Sequence, residues 1–115
     1  GTKSTTPDVI YQSEQGFDFR CSSETNMWGA GTYFAVNASY SDSYSHLLAT
    51  RTKDKQMFLA DVLTGVAYKC QPDSTLKKPP QNHDSVTGHT NGSDIFVIYD
   101  LDQSYPAYLI TYRNT

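Results

Sequence analysis

Apolar residues in this chain gather in short runs rather than in long helical stripes. Met57 to Leu63 and Ile95 to Tyr99 are nearly continuous apolar runs, the pattern of strands buried on both faces. Tyr108 to Tyr112 also favours strand, with Pro106 at its entrance. Glycines in Gly29-Ala30-Gly31 open a tight turn, and a short aromatic strand from Thr32 to Val36 follows. The one helix signal is Thr5-Thr6-Pro7-Asp8: a threonine cap, a proline in the first turn and an acid near the positive end. With Val9, Ile10 and Tyr11 next and Gly16 as a stop, this predicts a helix from Pro7 to Gln15. Phe17 to Met27 lacks periodicity and reads as a loop, and His46 to Gln56 and Tyr68 to Gly92 read as turn-rich connections. The pattern predicts an α+β domain dominated by twisted sheet.

Composition narrows the functions open to such a domain. The chain has 115 residues, enough for one modest core but not two. Its formal charge is -3, and Lys53, Lys55, Lys69, Lys77 and Lys78 are scattered or paired. That leaves no basic surface from which to argue binding to a nucleic-acid backbone. No apolar run is long enough to span a bilayer as a helix, and the first residues carry no signal-peptide pattern. Cys21 and Cys70 can pair or stay free, since two thiols make no disulfide framework. Asn37-Ala38-Ser39 and Asn91-Gly92-Ser93 fit the glycosylation pattern, which matters only in a secreted protein. His46, His83 and His89 all fall in loops and lack metal-ligand spacing, so no metal site is expected. His83-Asp84-Ser85 is not read as a hydrolase triad, whose members converge from separated segments.

The candidate chemistry follows the glycine turn. Tyr33 and Tyr44 supply two rings and Ser41 a hydroxyl between them. That set suits a flat, partly polar heterocycle, with rings on its faces and a hydroxyl on its edge. Gly29-Ala30-Gly31-Thr32-Tyr33-Phe34-Ala35 followed by Ala38-Ser39-Tyr40-Ser41-Asp42-Ser43-Tyr44 resembles the nicotinamide-binding signature of the poly(ADP-ribose) polymerase family of ADP-ribosyltransferases. The resemblance extends from Gly1-Thr2 to Tyr112. It includes Met57 to Gly65 as the central strand after the donor site, and Pro79-Pro80 and Asp84 to Gly88 as the loop before the penultimate strand. Ile95 to Asp100 and Tyr105 to Tyr112 resemble the last two strands. The nearest likeness is to the mono-ADP-ribosylating branch.

The resemblance implies a diphtheria-toxin-like ADP-ribosyltransferase fold, with twisted mixed and antiparallel sheets and few short helices. It implies NAD+ as co-substrate, with Tyr33 and Tyr44 enclosing nicotinamide. Ser41 and the Gly1 backbone would hold the carboxamide, Ala35 would lie beside the rings, and Thr2 would lie on the ribose side. The segment from Arg20 to Gly29 would cover the donor, with Trp28 or Arg20 near its adenosine half. Acceptor proteins, including the enzyme itself, are the implied partners, with no membrane. An intracellular setting, cytoplasmic or nuclear, follows from the same likeness and favours free thiols.

Two departures sharpen the expectation. The family's first motif is His-Gly-Thr, preceded by further strands, whereas this chain begins at Gly1-Thr2. We therefore read residues 1–115 as an N-terminally trimmed catalytic core in preference to a minimal form lacking the histidine. Second, the family's glutamate position falls on Ile95, which cannot accept a hydrogen bond from a ribose hydroxyl. In the family such a replacement accompanies transfer of a single ADP-ribose. Asp94 is no substitute, because successive strand residues point to opposite faces. The expected function is mono-ADP-ribosyl transfer from NAD+ to protein side chains with release of nicotinamide. The alternatives are an inactive module that binds NAD+ or ADP-ribose, and transfer to nucleic-acid ends.

Overall fold

Seven strands and two one-turn helices make up the regular structure in a computed structural model that describes residues 2–3, 5–18 and 26–114. The helices are α1 (Pro7–Tyr11) and α2 (Ala38–Asp42). The strands are β1 (Thr32–Ala35), β2 (His46–Ala49), β3 (Asp54–Val62), β4 (Ala67–Lys69), β5 (Ser85–Thr90), β6 (Ser93–Ile98) and β7 (Ser104–Tyr112). They form a four-stranded sheet in the order β1-β6-β5-β4 and a three-stranded sheet in the order β2-β3-β7. All pairings are antiparallel except β4 with β5. This mixed α+β architecture matches the expected fold class.

Helix α1 is shorter than its pattern predicts. Pro7 occupies the first turn, but the Thr6 hydroxyl makes no capping hydrogen bond. Beyond Tyr11 the Gln15 N–H donates to the Ser13 hydroxyl at 3.2 Å, a local bond that competes with continued helix. Pro7 and Ile10 are buried and carry the helix onto the sheets.

β6 is the central buried strand. Ile95, Val97 and Ile98 are all essentially inaccessible, so both of its faces are covered, as the apolar run demanded. β3 differs. Its run was expected to be covered on both faces, yet Leu59 is well exposed, as are its cross-strand partner Tyr108 and nearby Ile110. Among the described residues, the three-stranded sheet is packed on one face only. Phe17 joins the sheets, with its ring edge-to-face on Phe34 of β1 and on Phe58 of β3, both at 5.3 Å.

Two further readings need correction. The segment from His46 to Gln56 contains β2 and the start of β3, and the segment from Tyr68 to Gly92 contains β5. β5 was hidden because Ser-Val-Thr-Gly-His-Thr has neither clean alternation nor a strong apolar face. Its signal was Asn91-Gly92: both residues have positive φ, 48° and 80°, the turn chemistry that closes a two-residue hairpin.

The main core lies on one face of the four-stranded sheet, where Trp28 packs with Val86, Ile95, Val97 and Tyr99. Gly88, opposite Ile95, makes this possible. A Cβ there would sit 2.2 Å from the indole ring, so only glycine lets the ring approach the strand this closely.

Candidate functional site

The turn before β1 is shaped by close backbone approach. Gly29 has φ +80°, and a side chain there would meet the Leu76 carbonyl oxygen at 1.9 Å. The Ala30 N–H donates to that same carbonyl at 3.2 Å. The chain therefore reaches Tyr33 along a fixed path.

The Tyr33 hydroxyl closes the turn. It accepts the Trp28 N–H at 2.7 Å and donates to the Gly29 carbonyl at 2.8 Å. Burial pushes this phenol up to about 12, partly offset by the Trp28 N–H, so it stays protonated and acts as a donor. The Tyr99 hydroxyl donates to the Trp28 carbonyl, and the Trp28 indole N–H donates to the Cys70 carbonyl at 3.3 Å. Trp28 is thus held at backbone and ring and is about 1% exposed. The expectation that it lies near an adenosine is corrected: the indole is the centre of the core, unavailable to a ligand. Arg20 and Gly1 lie outside the described residues.

Tyr33 and Ala35 both pack against this core, opposite Val97 and Ile95 across the β1–β6 ladder. Ile95 is about 1% exposed. It is a core residue rather than part of an open pocket wall, because Trp28 and Gly88 close over it. Asp94 lies on the other face and is exposed, its carboxylate 2.8 Å from His89 Nδ1.

After β1 the chain turns into α2, which carries Ser41, with Tyr44 two residues beyond its end. The Asn37 N–H donates to the Ser93 hydroxyl at 3.1 Å and its side-chain amide donates to the Gly92 carbonyl at 2.9 Å. These bonds fasten the start of α2 to the β5–β6 turn. Ser41 is half-buried, and its carbonyl accepts the Tyr44 N–H at 2.9 Å. Tyr44 is about half exposed, which leaves ring surface for a ligand.

Tyr40 joins these residues, although the sequence did not single it out. Its ring lies 5.5 Å from that of Tyr44, and it also packs against the core. Burial, the Tyr44 hydroxyl and the nearby Tyr33 push its phenol up to about 12. A tyrosine cluster of Tyr33, Tyr40 and Tyr44 therefore lines this region. The two rings are brought together because the turn after α2, closed by the Tyr44 N–H on the Ser41 carbonyl, folds position 44 back beside position 40.

Thr2 is half-buried, and its hydroxyl oxygen is enclosed without a partner among the described residues. The other singled-out groups lie elsewhere. Ser85 is buried and donates to the Thr64 carbonyl at 2.7 Å, while Asp84 accepts the Val66 N–H at 2.9 Å. His83 packs edge-on against Tyr68. No group of three or more His, Cys, Asp or Glu side chains gathers among the described residues. Cys70 is a free thiol whose pKa is raised by burial. None of the described helices is long and apolar enough to cross a membrane. Two surface hollows, one beside Tyr11, Asp61 and Tyr105 and one along Thr75 to His83, contain none of the sequence-assigned residues.

The carboxylate of Asp42 ties the end of α2 to the three-stranded sheet. It accepts from the Tyr112 hydroxyl, from Asn114 Nδ2 at 3.1 Å and from Lys55 Nζ at 3.2 Å to both oxygens. These bonds, Tyr112 first, hold its carboxyl below the usual carboxylate range. A lowered folded-state pKa gives stabilisation that is complete above the unfolded value and is lost as pH falls through the folded one. Wild-type protein should therefore lose its stability advantage over Asp42→Asn as the medium is acidified. Parallel acid denaturation curves check this, and a gap that persists below the carboxylate range would refute it.

The family follows from these features together with comparison to known proteins. Residues 1–94 match the model of the poly(ADP-ribose) polymerase catalytic domain. The chain belongs to this family. A probable poly [ADP-ribose] polymerase of Dictyostelium discoideum is 40% identical over 98% of this chain and 32% of its own length. Human protein mono-ADP-ribosyltransferase PARP12 is 35% identical over 100% of this chain and 16% of its own. Human protein mono-ADP-ribosyltransferase PARP14 is 34% identical over 75% of this chain and 5% of its own. The chain thus spans a third or less of the length of these relatives.

Proposed function

We propose that this chain is the donor-binding part of an NAD+-dependent mono-ADP-ribosyltransferase that modifies protein side chains and releases nicotinamide. The observation that carries this is the joining of Tyr33, Tyr40, Ser41 and Tyr44 into one tyrosine-lined region by β1 and α2, within a chain of this family. The exposed Tyr44 ring can stack on nicotinamide and the Ser41 hydroxyl can bond its carboxamide. Ala35 lies beside them, the Gly1 backbone would join Ser41 at the carboxamide, and Thr2 would lie on the ribose side.

In the reaction the bond between ribose C1′ and the nicotinamide nitrogen breaks, and nicotinamide leaves as a neutral molecule. An acceptor oxygen forms the new bond to C1′. Holding both partners in line supplies much of the rate. Ile95 supplies no carboxylate at the family's glutamate position, so transfer leans on the acceptor's own carboxylate as the base, and growth of a chain from a ribose hydroxyl is not supported. An intracellular placement, cytoplasmic or nuclear, goes with this reading.

The test is intact mass spectrometry of the longest native chain carrying this sequence after incubation with NAD+, with free nicotinamide measured alongside. One added ADP-ribose with matching nicotinamide is expected. A ladder of adducts would refute single transfer. Neither product, with NAD+ still raising the thermal midpoint, would make the domain a binding module. RNA added in competition would reveal a nucleic-acid acceptor.

Ile95→Glu is expected to yield no polymer. It also places a carboxylate in the Trp28 core, where an unpaired charge costs on the order of several kcal/mol, so its thermal midpoint falls sharply. Elongation also needs a site for the acceptor chain, so a stable variant that makes polymer would show that the missing carboxylate alone limits the reaction and that position 95 reaches the donor.

A further inference from the structure

We infer that Asp42 is a positioning residue for the nicotinamide half of the donor, a role that rests on the site proposed above. α2 is a single turn of five residues with no side-chain cap at its start. A helix this short does not persist on its own hydrogen bonds. Its placement comes from its two ends. Asn37 fastens the first end to the β5–β6 turn, and Asp42 fastens the second to β3 and to the end of β7.

Asp42 lies next to Ser41 and two residues before Tyr44. Its backbone carbonyl also accepts the Ser45 hydroxyl at 2.7 Å, and Ser45 is buried. Side chain and main chain of one residue therefore set both the height of α2 over the sheets and the path of the chain through Tyr44. None of the three side chains that grip the carboxylate belongs to the donor-site set. Lys55 and Asn114 act on the site through Asp42, and Tyr112 through Asp42 and its neighbour Ser45.

The chemistry predicts a selective loss. Ser41 and Tyr44 face the nicotinamide end, so slackening their support should weaken ligands that carry nicotinamide. ADP-ribose, which lacks that ring, should be spared. General loosening of the domain would weaken all of these ligands together.

The experiment measures dissociation constants for NAD+, nicotinamide and ADP-ribose by calorimetry in the longest native chain. Wild type, Asp42→Ala, Tyr112→Phe and Tyr44→Ala are compared. Asp42→Ala is expected to weaken NAD+ and nicotinamide about tenfold, within the range that small misplacements of binding groups produce, and to leave ADP-ribose within about twofold. Tyr112→Phe, which removes one hydroxyl and keeps the ring packing, should shift the same two ligands in the same direction by less. Loss of thermal stability with equal weakening of all three ligands would overturn the proposal, as would unchanged affinities in both variants. If Asp42→Ala does not fold, Tyr112→Phe decides. Tyr44→Ala separates the failures: unchanged NAD+ affinity there removes the site and this proposal together. A large loss there with none in Asp42→Ala or Tyr112→Phe removes this proposal alone.

Discussion

Trp28→Ala is expected to destabilise the domain by about 3–5 kcal/mol, the range for a large buried aromatic cut back to a methyl. The indole is fully enclosed, touches both central strands of the four-stranded sheet and donates to the Cys70 carbonyl. Its backbone is gripped by the Tyr33 and Tyr99 hydroxyls, so the void would also loosen the turn that leads into β1. Net stabilities of small domains are about 5–15 kcal/mol, and this loss takes much of that. Urea denaturation measures it, and a loss under about 1 kcal/mol would show that the ring is not the centre of the core. Gly88→Ala supplies an internal control. Its methyl would press on the indole, costing about 1–3 kcal/mol with Trp28 present. In the Trp28→Ala background that penalty should largely vanish, because the two positions share one space.

Tyr44→Ala should weaken NAD+ binding roughly 5- to 150-fold, the effect of removing about 1–3 kcal/mol of ring stacking. Its ring is about half exposed. The internal contact it gives up is the tilted one with Tyr40, worth no more than about 1.5 kcal/mol. Binding and folding are therefore separable here, and Tyr44→Phe should restore most of the affinity. Calorimetric titration with NAD+ beside a thermal melt checks both halves. An affinity within twofold of wild type would remove Tyr44 from the site. Tyr33→Ala, the variant the motif first brings to mind, is a poorer probe. The Tyr33 hydroxyl holds the backbone of Trp28 and Gly29, so its loss would damage the turn and the core as well as the site.

Several features were readable because they depend on neighbours a few residues away. The apolar run at Ile95 to Tyr99 announced β6, and Pro7 placed the start of α1. The spacing of Tyr33, Ser41 and Tyr44 marked a candidate binding set, and alternation along β6 put Asp94 and Ile95 on opposite faces. β5 was not readable from its own residues. Its extended form depends on the Asn91-Gly92 turn and on pairing with β6. The end of α1 was misjudged because a single serine hydroxyl offered the chain another bond.

What depends on distant partners stayed hidden. Trp28 looked like a residue of a covering loop, yet it became the core because Gly88, sixty positions later in the chain, leaves room for its ring. Asp42 looked like one more polar residue in a serine-rich stretch. Its carboxylate gained its role only when β3 and β7 brought Lys55, Tyr112 and Asn114 against it. Turn chemistry, strand alternation and motif spacing arise from sterics and hydrogen bonds along the local chain, so they can be read directly from residue order. Which face is covered, and which charge meets which hydroxyl, is set by packing between segments far apart in sequence. That packing exists only once the two sheets have formed.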